Sequence, residues 1–341
     1  MTGRICLVAS VLIANLLPGA SRAETPAEFY GRANIRMIIA ADPGGSYDSD
    51  ARLVARHLGR HLPGKPKIVM ENMLGASGRI AANYIYNLAP RDGSLIAAVQ
   101  QSVPLAQALA ESGVQYDAAA FQWIGSPVRP DEVIVVWHTT GVRSIEDAKS
   151  KEVIIGATTT TGMNYVYPKL VKELLGAKFK IVTGYNGAMQ INLALERGEV
   201  EGRGSNPWAE WKTSKPDWVR DKKIVPLLQM TLIERPDLPD VPRLIDLAPN
   251  PEIRSVFEVM SITADIGRPL LTAPGVPADR VAALRQAFDA TVQDPEFLAD
   301  AARMEREISP VKGAELQALV QRVLAAPKSS IELLKSALAR R

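Results

Sequence analysis

One pattern recurs along this chain: a short apolar run, then small polar residues, then an amphipathic stretch. Residues 35–40 (IRMIIA) read as a buried strand ended by DPGGSYDSD. Ala51, Leu53, Val54 and Leu58 then mark a helix that stops at Pro63-Gly64. Residues 67–71 (KIVME) give a second strand, Gly75-Ala76-Ser77-Gly78 a loop, and the next helix runs to about Leu88. Residues 94–100 (SLIAAVQ) give a third strand. The pattern returns with strands at 133–137, 153–156, 180–183 and 224–229. Helices start at Ser144, after the threonine run 158–161, and near Ile191. Such an order predicts an α/β fold, with mostly parallel sheets flanked by helices. Pro168 is expected in a first turn or at a kink. Residues 231–251, rich in proline and acids, read as surface connection. Residues 277–341 read as helical, with start signals at Pro277 and Ser309-Pro310.

The first 23 residues follow a different logic. Arg4 precedes an apolar run from Ile5 to Leu17, which is too short for a membrane span. Pro18-Gly19 breaks the run, and Ser21-Arg22-Ala23 offers small residues at a cleavage site. Residues 1–23 are therefore expected to be a secretory signal peptide, cut after Ala23. Cys6, the one cysteine in the sequence, leaves with it, so the exported chain is expected to lack disulfides, thiolate metal sites and cysteine nucleophiles. Net charge is +3, and residues 1–23 hold Arg4 and Arg22 and no acid, so the remainder is close to neutral. Basic residues are scattered, which argues against nucleic acid. At 341 residues, 47% of them hydrophobic, the chain can bury a large core in one or two domains.

Chemistry is expected in the loops after the strands: Gly44-Gly45-Ser46, Gly75-Ala76-Ser77-Gly78, residues 158–162, and Tyr185-Asn186-Gly187. In an open parallel sheet ligands bind beyond the carboxyl ends of strands. Helix N-termini there present free N–H groups, and small residues let an anion reach them. The bland alternative is a set of tight turns with good caps. Asp48 reads either as a cap or as an acceptor for a ligand. Trp208 and Trp211 read either as a pocket wall or as core packing.

Other constellations are weak. His57 and His61 are four apart on a helix, but HExxH is absent and no third ligand is evident, so a solvated or half-buried face is favoured. His138 has no motif around it. The G-x-S-x-G elbow, the P-loop and G-x-G-x-x-G are all missing, and DPGGSYDSD lacks the calcium-loop order. Neither a cofactor, a metal nor an enzymatic activity is expected. An exported hydrolase stays a weak rival.

The chain resembles the periplasmic substrate-binding receptors of tripartite tricarboxylate transporters, the Bug family. Its segments match in order: IRMIIAADPGGSYDSDARLVARHL, KIVMENMLGASGRIAANYI, APRDGSLI, GYNGAMQINLALERGEVEG, LPDVPRL and LLTAPGVPADRVAALRQAF. The resemblance implies a two-domain Venus-flytrap fold with two crossover segments, domain I being 24–127 with 231–341 and domain II 128–230. It implies a monomeric periplasmic receptor for a mono-, di- or tricarboxylic acid, served by a permease of two integral subunits. Some relatives feed signalling systems instead. Carried over by position, the binding residues would be Gly44, Gly45, Ser46, Asp48, Gly75, Ala76, Ser77, Gly78, Gln101 and Ser102 on domain I. On domain II they would be Thr159, Thr160, Thr161, Gly162, Asn164, Tyr185, Asn186 and Asn206. Met73-Leu74 replaces the family's proline-containing loop, and Gly204-Ser205-Asn206 stands where an acid is usual. Trp208 is an added aromatic, which would suit an aromatic or longer carboxylate.

Overall fold

The computed structural model describes residues 24–160 and 162–340. The signal-peptide reading of residues 1–23 and the site assignment of Thr161 therefore lie outside the described residues.

The first lobe opens with α1 (Pro26–Arg32), β1 (Ile35–Ile39), α2 (Ser46–His61), β2 (Ile68–Asn72), α3 (Arg79–Asn87), β3 (Leu95–Ala98), α4 (Val103–Ala108) and β4 (Gln122–Ser126). The chain then crosses into a second lobe. This holds β5 (Glu132–Trp137), α5 (Ile145–Ser150), β6 (Val153–Gly156), α6 (Met163–Leu175), β7 (Phe179–Val182), α7 (Ala188–Glu196), β8 (Gly202–Pro207), α8 (Trp208–Ser214), α9 (Pro216–Arg220) and β9 (Ile224–Met230). It returns through α10 (Pro251–Ile266), β10 (Leu270–Thr272), α11 (Ala278–Thr291), α12 (Pro295–Arg303), β11 (Val311–Lys312), α13 (Gly313–Leu324) and α14 (Lys328–Ala339).

The sheets run β11-β4-β10-β3-β1-β2 and β7-β6-β8-β5-β9. The parallel pairs expected from the pattern form: β1 with β2 and β3, and β6 with β7. Antiparallel strands complete each sheet, β10 and β11 in the first and β5 against β8 and β9 in the second, so both sheets are mixed. Register places the site. Ile39 pairs with both Asn72 and Ala98, so the loops after β1, β2 and β3 share one edge. Gly156 pairs with Val182, which aligns the loops after β6 and β7.

Local chemistry sets the helix ends. The Ser144 hydroxyl accepts from Asp147 N–H at 3.1 Å and caps α5; Asn250 caps α10 through Ile253 N–H at 2.9 Å, with Pro251 at the first position. Ser309-Pro310 does not open a helix directly: β11 intervenes, and α13 begins at Gly313. Residues 231–251 are only partly surface, since Leu238 and Leu244 are buried.

Ile38, Val99, Tyr167, Leu228 and Phe257 belong to one apolar core that continues through both lobes, bridged by α10, which is buried along most of its length. The last helix, α14, packs against both α10 and α6 of the second lobe. The crossovers touch closely. A Cβ on Gly267 would fall 1.9 Å from the Val128 carbonyl oxygen, and this residue has φ +70°. The Ser126 hydroxyl donates to Val128 O and accepts from Arg268 N–H, each at 2.8 Å. No described helix is long and apolar enough to cross a membrane.

Candidate functional site

A cavity of about 320 Å³ lies between the two sheets, where the aligned loops meet. The first turns of α2, α6 and α7 open onto it through Ser46, Met163 with Asn164, and Ala188. Each such turn carries N–H groups without intrahelical partners and the positive end of a helix dipole. Of the residues assigned from sequence, Ser46, Ser77, Gln101, Ser102, Gly162, Asn164 and Asn206 line this cavity. Gly45, Gly75 and Gly78 line an adjoining pocket that shares Ser46, Tyr47, Ser77 and Gln100 with it. Thr160 lines a smaller one that shares Ser77, Ser102 and Met163.

The others lie off the cavity lining. Asp48 is 3% exposed and accepts from Gly44 N–H (2.9 Å), Arg52 Nε (2.8 Å) and Asn72 Nδ2 (2.8 Å). Burial alone would raise its carboxyl, but these bonds outweigh it and hold the pKa at about 2. Asp48 thus fastens the first loop to β2. Trp208 packs with Trp211 and Trp218 in the core of the second lobe, away from the cavity. Gly44, Ala76, Thr159, Tyr185 and Asn186 flank the lining residues in their loops without lining the cavity. Asn164 has a local task as well: its Oδ1 accepts from Thr158 N–H at 3.3 Å and from the Thr158 hydroxyl at 3.2 Å.

The second loop is unusual in its backbone. Gly75, Ala76, Ser77 and Gly78 all have positive φ, two of them without being glycine. Such a run is strained for alanine and serine, and strain of this kind gathers at functional loops. Gly78 approaches Gln100 so closely that a Cβ would lie 3.0 Å from Gln100 Cγ.

The strongest groups in the cavity were not found by sequence reasoning: Tyr47, Glu132, Arg203, Ser205, Glu210 and Arg268. The Arg268 guanidinium carbon lies 4.0 Å from the centroid of the Tyr47 ring, and its Nε is 3.5 Å from Asp50 Oδ2. Burial works against the charge on Arg268, but Tyr47, Asp50, Glu132 and Glu210 outweigh it, so the guanidinium stays protonated. The Tyr47 hydroxyl donates to Gly267 O and accepts from Gln101 N–H, each at 3.4 Å, tying two loops to a crossover. Arg203 is buried, 5.2 Å from the Trp211 centroid, and donates to Asn192 Oδ1 (3.1 Å) and Asn206 Oδ1 (2.6 Å). Burial lowers its pKa against the pull of Glu210 and Glu132. Ser205 donates its hydroxyl to the buried Glu132. Burial pushes the Glu132 carboxyl up; Arg268 and Ser205 offset this only in part.

β8 delivers Arg203 and Ser205 through a tight passage. Pro168 sits inside α6 and cannot donate to the Asn164 carbonyl one turn earlier. Gly204 passes that point: a Cβ there would fall 2.1 Å from Asn164 O and 2.5 Å from Pro168 Cγ.

The histidines take no part. His57 Nε2 lies 2.6 Å from Asp300 Oδ2 and His61 Nε2 lies 2.7 Å from Asp294 Oδ2, on the far side of α2. Among the described residues no group of three or more His, Cys, Asp or Glu side chains is placed to hold a metal.

Comparisons with known proteins agree with this architecture. A TctC solute-binding protein from Polaromonas superposes with a TM-score of 0.68 at 20% identity, over 89% of this chain and 99% of that one. The periplasmic binding protein BugD superposes at 0.63 and 20%, over 90% and 98%. An R. palustris protein solved with adipate superposes at 0.62 and 21%, over 90% and 97%. A UPF0065 protein from Bordetella bronchiseptica is 26% identical over 180 residues, and the chain spans about half the length of this curated relative (51%). No family model matches the chain.

Proposed function

We propose that this chain, whose fold is that of the TctC and Bug periplasmic binding proteins, is an extracytoplasmic receptor for a small carboxylate. In this reading the acid enters the cleft, the lobes close on it about the crossovers at Val128 and Gly267, and the closed form is recognised by a two-subunit membrane permease. The observation that carries the reading is convergence: three helix N-termini and Arg268, its side chain 10% exposed, line one cavity between two sheets. The adipate held by the R. palustris neighbour fits it. Arginine, carboxylates, hydroxyls and amides line the cavity, and no histidine of the described residues does, which favours binding over turnover. We place the lobe borders at 127/128 and 230/231, and export by a signal peptide cut after Ala23. The chain would then act as a monomer, without cofactor.

A thermal-shift screen against carboxylic acids and their uncharged amides tests the reading. A ligand that binds only the folded state raises Tm by mass action. At least one acid should raise Tm while its amide does not. A flat response to the acids rejects the receptor.

A further inference from the structure

The cleft leaves both kinds of hydrogen-bonding group unfilled. Arg203 and Arg268 line it; the Nε of Arg203 is buried without an acceptor among the described residues, while that of Arg268 lies 3.5 Å from Asp50 Oδ2. Two further nitrogens of Arg203 are already spent on Asn192 and Asn206. On the acceptor side, Gln101 is 3% exposed and lines the same cavity, yet its Oε1 has no donor among the described residues. Glu210 also lines the cavity, and its carboxylate makes no hydrogen bond or ion pair with any described residue. Ser205 donates to one oxygen of Glu132 and leaves the other free.

The charges tell the same story. Arg203, Arg268, Glu132 and Glu210 line the same cavity, and Asp50 lies 3.5 Å from Arg268 Nε and 3.6 Å from Arg306 Nε. The site is balanced before any ligand arrives. A plain dicarboxylate brings acceptors only. It would satisfy Arg203 and the helix N-termini, leave Gln101 Oε1 and Glu210 unfilled, and add negative charge beside the buried Glu132 and the partly exposed Glu210. A ligand that carries a donor as well as an acceptor fills both halves.

We infer that the ligand is a zwitterion: a small acid bearing a protonated amino nitrogen, its carboxylate on the Ser46 and Arg268 side and its nitrogen held by Glu132 and Glu210. This rests on the carboxylate-receptor reading and narrows it. Glu132 enters at β5 opposite Pro207, and Glu210 follows one turn into α8, so the two carboxylates are brought together by the β5–β8 pairing.

Isothermal titration of the purified protein at neutral pH with matched pairs decides it: glutarate against glutamate, adipate against 2-aminoadipate, pentanoate against 5-aminopentanoate, with pentylamine as the amine lacking an acid. In at least one pair the nitrogen-bearing acid should bind about tenfold tighter or more, a charge-assisted contact being of that order. Glu210→Gln should erase that advantage and bind the plain acid at least as tightly as the parent does, one like charge being gone, and Glu132→Gln, which can still accept from Ser205, should reduce it. Equal or tighter binding of the plain acid in every pair overturns the zwitterion and leaves the carboxylate receptor standing. An advantage that survives both substitutions overturns the assignment of the nitrogen to these two residues. Binding of pentylamine but of no acid overturns the receptor reading, and no binding anywhere overturns both.

Discussion

Arg268 lies over the face of Tyr47, its guanidinium carbon 4.0 Å from the ring centroid, so a crossover residue is held by the first turn of α2 at the same edge of the sheet. The stack is nearly dry, since the Arg268 side chain is 10% exposed, and a desolvated cation–π pair is worth more than an exposed one. In a double-mutant cycle of Arg268→Met and Tyr47→Leu, followed by urea unfolding, the two residues should couple by about 1–2 kcal/mol. Strict additivity would mean that the ring is merely a neighbour.

Gly44 and Gly78 separate backbone strain from loss of space. Both have φ near +80°, but a Cβ on Gly44 meets nothing within 4 Å, whereas one on Gly78 reaches Gln100 Cγ at 3.0 Å. Gly44→Ala should cost about 1 kcal/mol of stability and leave ligand affinity alone. Gly78→Val should lower affinity by about tenfold, roughly 1.4 kcal/mol, because it displaces Gln100 and blocks the loop backbone. Titrating both variants with the acid of largest thermal shift checks this; equal affinities would remove the second loop from the site.

Asp131 carries a cost that depends on pH. It is 5% exposed, accepts from Ala209 N–H at 3.2 Å, and burial raises its pKa from 3.8 to about 6. A raised carboxyl favours the folded state when protonated. Its contribution is complete below about pH 4 and is lost as pH rises through about 6, at most about 3 kcal/mol. Asp131→Asn should flatten that decline in urea unfolding measured from pH 4 to 7. An unchanged slope would show that the carboxyl is hydrated.

Asp48 has the opposite sign. Its pKa is held at about 2, so its stabilisation is present above about pH 4 and is lost as pH falls through 2. The gap between the parent chain and Asp48→Asn should be about 2 kcal/mol near pH 6 and close toward pH 2. A gap of constant size would assign the effect to shape instead of charge.

The units legible in the sequence are those whose signal is local. β1, β2, β5, β6 and β9 each carry a short apolar run, and the loops after β1 and β2 could be read because small residues precede a periodic helix. β8 was hidden because its strand is GRGSNP, in which glycines serve close approach: a Cβ on Gly202 would lie 2.8 Å from Val135 O. α10 was missed because its second half, residues 259–266, is buried throughout, Ser261, Thr263 and Asp265 included, and so presents no polar face to solvent. The cavity's charges were missed for the same reason. Glu132, Arg203 and Ser205 reach it from antiparallel strands paired over long sequence distances, and Arg268 comes from a crossover. Ser46, Gly162 and Asn164 were found because they stand at helix starts, whereas Glu132, Arg203 and Ser205 are placed by strand pairing; Tyr47 and Glu210 were missed although they stand in the first turns of α2 and α8. Asp48 matched a ligand acceptor by type, yet its oxygens are occupied by Gly44, Arg52 and Asn72.

The passage at Gly204 sets a limit on how this cleft can be altered. Arg203 and Ser205, on either side of it, line the cavity and are bonded to Asn192, Asn206 and Glu132, and the position between them tolerates only a hydrogen atom against Asn164 O and Pro168. Any larger residue would lever the strand away from α6 and move both neighbours at once. A designer who wishes to redirect the cleft through 203 or 205 should therefore replace the partners at 132, 192 and 206 in step and leave 204 a glycine.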